Sequence, residues 1–160
     1  MLHQRDHINL MLTAINNSKI DISSEQSTKR LAKNLIDHIN HGDIIFLYGE
    51  MGVGKTTFIK YLINQLQKKN NVKITEVTSP TFNLLNEYQI KDITVKHYDL
   101  FRLKHKSEII NLDIFDNNEK FITFIEWPEL IDKKLIKTID LNFLYENKLN
   151  NRSVTINGLT

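Results

Sequence analysis

One stretch, Gly49-Glu50-Met51-Gly52-Val53-Gly54-Lys55-Thr56, constrains this chain more than any other. It reads G-x-x-x-x-G-K-[ST], the phosphate-binding P-loop pattern, which carries weight only between a strand and a helix. Both flanks comply. Residues 44–48 form a continuous apolar run, as expected of a parallel strand buried on both faces. Beyond Thr56, apolar residues recur at helical spacing: Phe58, Leu62 and Leu66, with Ile59 and Ile63 beside them. Strand, glycine loop and helix start therefore follow in the required order.

The chemistry explains the residue types. A phosphate chain must approach the backbone closely, so Gly49, Gly52 and Gly54 stand where a Cβ would obstruct or where φ must be positive. Backbone amides of the loop and of the new helix, Val53 to Thr57 among them, are expected to point at the anion, aided by the helix dipole. Lys55 is expected to reach the β- and γ-phosphates, and the Thr56 hydroxyl to ligate Mg²⁺.

Such a loop needs a second magnesium-side group, normally an acid at the end of a buried strand. Glu126, after the apolar run 121–125, is the candidate; the bland alternative is a surface acid at a strand end. Asp99, in His97-Tyr98-Asp99-Leu100-Phe101-Arg102, is the second acid. It has three possible tasks: binding the metal directly or through water, positioning the attacking water, or serving as a turn carboxylate that caps the next helix. Ser79-Pro80-Thr81 offers hydroxyls to the γ-phosphate in the manner of a switch loop. His97 reads as structural rather than as a general base. Trp127 is the sole tryptophan, either packed at the rim of the core or forming an aromatic wall of the site.

Two absences narrow the class. No Asn-Lys-x-Asp pattern for reading guanine is present, and Arg102 is the only arginine between the P-loop and Glu126. Enzymes that phosphorylate small anionic molecules generally need several arginines to clamp the second substrate. A net charge of +2 gives no strong case for direct nucleic-acid binding. The chain has no cysteine, which rules out thiolate catalysis and cysteine zinc sites. Its N-terminus lacks a signal-peptide apolar core, and no run reaches membrane-spanning length, so a cytoplasmic protein with no membrane partner is expected.

The rest of the chain reads as one P-loop ATPase domain over 21–160, after an N-terminal extension over 1–20. That extension is either loose or a helical stripe through Ile8, Leu10, Met11, Leu12 and Ile15. Ser23 and Gln26 stand at capping-box spacing, opening a helix that would run to about residue 40 and bury Leu31, Leu35, Ile36 and Ile39. Further expectations are a short strand over 72–77 and a hairpin of 82–90 with 93–100 turning at Lys91-Asp92. A helix over 107–115 and a helical turn over 129–135 follow. Strands over 136–145 and 153–156, joined by the polar turn 146–151, close the chain. The fold class is α/β: a three-layer P-loop NTPase fold with a mainly parallel core sheet and an antiparallel portion.

Taken together, 49–57, Thr78-Ser79-Pro80-Thr81-Phe82, His97-Tyr98-Asp99-Leu100-Phe101-Arg102-Leu103 and Phe124-Ile125-Glu126-Trp127-Pro128 resemble the bacterial TsaE family, over about residues 20–158. That family is the ATPase component of the machinery that makes threonylcarbamoyladenosine in tRNA. The resemblance implies ATP binding and slow hydrolysis, dependent on two partner proteins of the threonylcarbamoyl-transferase complex and touching tRNA only through them. It also implies Thr56 and Glu126 as Mg²⁺ ligands, Lys55 and the loop amides as the phosphate cradle, and Asp99 as the residue required for hydrolysis. Two features depart from the pattern: the first twenty residues run long, and Ala32 stands where a glycine is expected. Two rival functions remain at this point, a small-molecule kinase and a non-catalytic ATP-dependent scaffold.

Overall fold

The computed structural model describes residues 16–147 and 150–160. The apolar stripe from Ile8 to Ile15 and part of the 146–151 turn lie outside them. Seven strands form one sheet in the order β1-β7-β6-β2-β5-β4-β3. These are β1 (Lys19–Asp21), β2 (Ile44–Tyr48), β3 (Leu85–Ile90), β4 (Ile93–Asp99), β5 (Phe121–Glu126), β6 (Ile139–Tyr145) and β7 (Arg152–Asn157). Strands β6, β2, β5 and β4 are mutually parallel neighbours and make the core. Antiparallel partners flank both edges: β3 on β4, and β7 on β6 with β1 beyond it.

Helices α1 (Glu25–Leu35) and α2 (Lys55–Lys69) cover one face of the sheet. Leu31, Leu35, Phe58, Leu62 and Leu66 pack there against Ile45, Leu47, Phe124 and Leu141. The other face buries Ile44, Phe46, Tyr98 and Ile125 under a thinner cover, built from α3 (Lys106–Ile110), Ile114 and Ile131. Alternate residues of β2 thus serve opposite cores, which is why its sequence is apolar throughout.

Several local expectations shift. Ser24, not Ser23, caps α1, and the reciprocal box closes with Ser27 three residues on. Serine supplies the short hydroxyl that the box needs, so Gln26 is not required. The α-helix ends at Leu35 and tightens into a 3₁₀ turn, Ile36–His38. Residues 72–77 are not a strand: they lie outside the sheet, where Gln67 bonds the Thr75 backbone and hydroxyl. Helix α3 is shorter than 107–115, and two 3₁₀ turns, Pro128–Leu130 and Lys133–Leu135, replace one helical turn. The hairpin turns at Lys91 with φ 53°, in the left-handed region.

Candidate active site

Parallel strands deliver their C-terminal ends to one edge of the sheet, where open α/β sheets bind ligands. Asp99 ends β4 and Glu126 ends β5, paired in register, and Leu47 of β2 pairs with Glu126 from the other side. The P-loop leaves β2 two residues later, so three separate segments meet at one mouth.

The loop explains its own glycines. A Cβ on Gly49 would lie 2.9 Å from the Phe143 Cβ and carbonyl oxygen and from Val53 Cγ1, at a φ of +145°. Gly54 has φ 115° and caps α2 with no side-chain bond. The α2 start therefore has no side chain of its own occupying its first amides, the arrangement that suits an anion. Val53 is fully buried among core residues; like Gly49, it shapes the loop from behind.

Gly52, Gly54, Lys55, Thr56, Thr57, Asp99 and Glu126 line one cleft of about 390 Å³. Thr56 donates its hydroxyl to Glu126 Oε1 at 2.7 Å. Glu126 is 2% exposed, so the alternative of a surface acid is set aside. Asp99 is also buried and gathers three donors: Ser79 Oγ at 2.9 Å and Thr81 Oγ1 at 3.1 Å on Oδ2, and the Phe101 amide at 3.0 Å on Oδ1. It turns the chain at Phe101 but caps no helix, since α3 is capped by His105. Lys55 donates to the Gly49 carbonyl and, at 3.4 Å, to that of Glu50. Burial pushes the Lys55 ammonium below its ordinary range, against the pull of Glu126, Glu129 and Asp99.

The Threonylcarbamoyl adenosine biosynthesis protein TsaE family model matches residues 22–154. The chain belongs to the TsaE family. Relatives named tRNA threonylcarbamoyladenosine biosynthesis protein TsaE include one from Rickettsia felis, 38% identical over 79% of this chain and 74% of its own. Another, from Aquifex aeolicus, is 34% identical over 81% of this chain and 90% of its own. The crystal structure of Bacillus subtilis YdiB superimposes with a TM-score of 0.69 at 23% identity, covering 89% of this chain and 86% of that one. The shared fold is the α/β P-loop NTPase type.

In this TsaE-family chain the cleft also takes in Arg152 and Trp127. Arg152, at the start of β7, places its guanidinium 3.6 Å from where a Gly54 Cβ would stand, and 5.7 Å from the Tyr145 ring centre. Arg102, the arginine singled out from sequence, is exposed and does not line the cleft. Arg152 carried no sequence signal, because the β6–β7 hairpin must first be laid beside β2. Trp127 is both wall and rim: half-buried, it packs against the Ile44–Phe46–Ile125 core and lines the cleft, with Lys55 Nζ 3.7 Å above its ring and Phe101 at 4.9 Å between ring centres. Its φ of 57° is left-handed, a conformation costing an aromatic residue about 1–2 kcal/mol. The turn this makes sets the indole under the lysine directly after Glu126.

Proposed function

We propose that the chain is a P-loop ATPase of tRNA threonylcarbamoyladenosine biosynthesis, binding Mg-ATP and hydrolysing it slowly. It would act with two partner proteins of the threonylcarbamoyl-transferase complex and meet tRNA only through them. The observation that carries this reading is the Thr56–Glu126 bond at a glycine-loop helix start, with Asp99 beside it. A hydroxyl and a carboxylate are hard oxygen donors of the kind Mg²⁺ prefers. Among the described residues no three His, Cys, Asp or Glu side chains cluster as a metal site. The ion would therefore take its remaining ligands from phosphate and water, as Mg²⁺ commonly does.

Bound there, Mg²⁺ would neutralise charge on the phosphate oxygens. The chain's own groups do the rest. Loop amides and Lys55 hold the phosphates, Arg152 adds a second cation on the Gly54 side, and Asp99 orients the attacking water at the end of β4. Arg152 is the one arginine lining the cleft among the described residues, and an arginine at the transferring phosphate can contribute about 10³–10⁵ in rate. Slow turnover by the isolated chain follows if Arg152 stays on the Gly54 side and does not reach the γ-phosphate. Steady-state hydrolysis should be well below the roughly 10 s⁻¹ of a typical enzyme and should rise when the partners are added. Fast turnover alone, or none with partners while ATP binds, would refute this reading.

A further inference from the structure

We infer that His97 is a positioning residue for the magnesium site: it holds the Glu126 carboxylate in place through an Nε2–H bond. This inference rests on the reading of Glu126 as a metal-side acid. His97 lies on β4, two residues before Asp99, on the strand face that also carries Val95 into the core under α1 and α2. Its ring is 0% exposed, and Nε2 stands 3.3 Å from Glu126 Oε1, the same oxygen that receives the Thr56 hydroxyl.

The tautomer follows from the partners. Nδ1 is buried and has no hydrogen-bond partner among the described residues. A hydrogen on Nδ1 would be an orphaned donor in the interior, and it would leave the Nε2 lone pair facing a carboxylate oxygen. A hydrogen on Nε2 satisfies the acid and leaves only an unused acceptor, the smaller loss. Either way the ring carries an unmet polar atom that an aliphatic side chain of similar size would not. A purely space-filling role therefore does not explain an imidazole here, whereas the bond to Glu126 does.

That bond has a definite task. A glutamate has three side-chain torsions, and fixing them costs rotamer entropy. Two donors from two different elements, Thr56 of α2 and His97 of β4, hold Oε1 from two sides. The ring is sealed from solvent, so in the native chain no bulk water competes with it from the His97 side. Partners behind a metal ligand typically govern metal affinity by about 10–100-fold when removed.

The test compares His97→Gln, His97→Asn and His97→Leu. The glutamine amide nitrogen falls near the position of Nε2, the asparagine nitrogen near that of Nδ1. Calorimetry of ATP binding at graded Mg²⁺, with an EDTA control, reads the metal requirement separately from nucleotide affinity. The expected result is near-normal Mg²⁺ requirement in His97→Gln and a rise of about 10–100-fold in His97→Asn and His97→Leu, with metal-free ATP binding unchanged in all. Equal requirements in the glutamine and asparagine variants would overturn the inference. Should the variants not fold, long-range ¹⁵N spectroscopy of the unaltered chain decides instead: hydrogen on Nε2 supports the assignment, and hydrogen on Nδ1 overturns it. Glu126→Ala keeps the two levels apart. If it leaves the Mg²⁺ requirement unchanged, the Glu126 reading fails; if it raises it while His97→Asn does not, only the His97 inference fails.

Discussion

Asp99 and Glu126 are the same kind of group on the same rung of the sheet, yet they are held in opposite ways. Glu126 is fixed from inside, by Thr56 at the start of α2 and by a fully buried histidine. Asp99 is fixed from outside, by the hydroxyls of Ser79 and Thr81 on an exposed loop and by the amide two residues on. The first arrangement cannot move without disturbing the core. The second is only as fixed as the 78–84 segment, which contains the half-exposed Leu84 with φ 67° and the widely exposed Phe82. Under the function proposed above, ground-state metal holding would fall to the inner acid and the hydrolytic step to the outer one.

The most severe test is to neutralise each acid. Asp99→Asn should lower single-turnover hydrolysis by about 10²–10⁴, the usual worth of a group that directs proton movement or orients the nucleophile, while sparing ATP affinity. Glu126→Gln should instead raise the Mg²⁺ requirement. If the asparagine variant lost Mg-ATP affinity as much as the glutamine variant, the two acids would share one ground-state role and the contrast would vanish.

Next in size is Lys55→Ala. On the proposed reading Lys55 faces charge already present on bound ATP, so its removal would act on binding rather than on the transition state. Loss of a charged hydrogen bond of about 1.5–3 kcal/mol corresponds to roughly 10–100-fold weaker ATP binding by calorimetry. A drop in turnover with unchanged affinity would move Lys55 to the Asp99 side of the comparison.

A smaller effect is expected from the double variant Ser79→Ala, Thr81→Val, which loosens Asp99 without changing it. Removing bonds worth about 1 kcal/mol should reduce turnover roughly fivefold at unaltered ATP affinity. Turnover equal to wild type would show that the Phe101 amide alone sets the carboxylate.

How much of this could be read beforehand depends on whether the information is local. The P-loop, its strand and its helix sit within 44–69, and periodicity and glycine chemistry carry them. Glu126 was legible as a strand-end acid because it follows the apolar run 121–125, whereas Asp99, after the mixed segment 93–98, was legible only as an acid whose task stayed open. Arg152 and the His97–Glu126 bond were not, since each depends on strand order, and sequence holds no record of β4 lying beside β5. Likewise β1, three residues long, is paired to β7 across more than a hundred residues, and its pattern is too short to announce a strand. The false strand over 72–77 failed for the opposite reason: β-favouring residues were present, but no neighbouring edge receives them.

The smallest predicted effect concerns Trp127, which belongs to the inner half of the comparison. Lys55 Nζ lies over its ring at 3.7 Å, a cation–π contact worth about 0.5–2 kcal/mol. If Lys55 turns to the phosphates when nucleotide binds, the ammonium leaves the indole face. Trp127 is the sole tryptophan, so emission excited selectively at the indole, away from the five tyrosines, reports on the surroundings of that one residue. Mg-ATP at saturation should therefore change the emission, and Mg-ADP should change it less, because the lysine then has fewer phosphate oxygens to reach. Lys55→Met supplies the control without nucleotide: the cation is gone, so its resting spectrum should already differ from wild type and should respond less to Mg-ATP. Chelating the metal with EDTA should diminish the wild-type response while leaving the resting spectrum unchanged. A wild-type spectrum indifferent to Mg-ATP, at a concentration shown by calorimetry to fill the site, would mean that Lys55 stays on the indole in the bound state. The lysine would then steady Trp127 rather than the phosphates, and the loop amides with Arg152 would have to carry the anion.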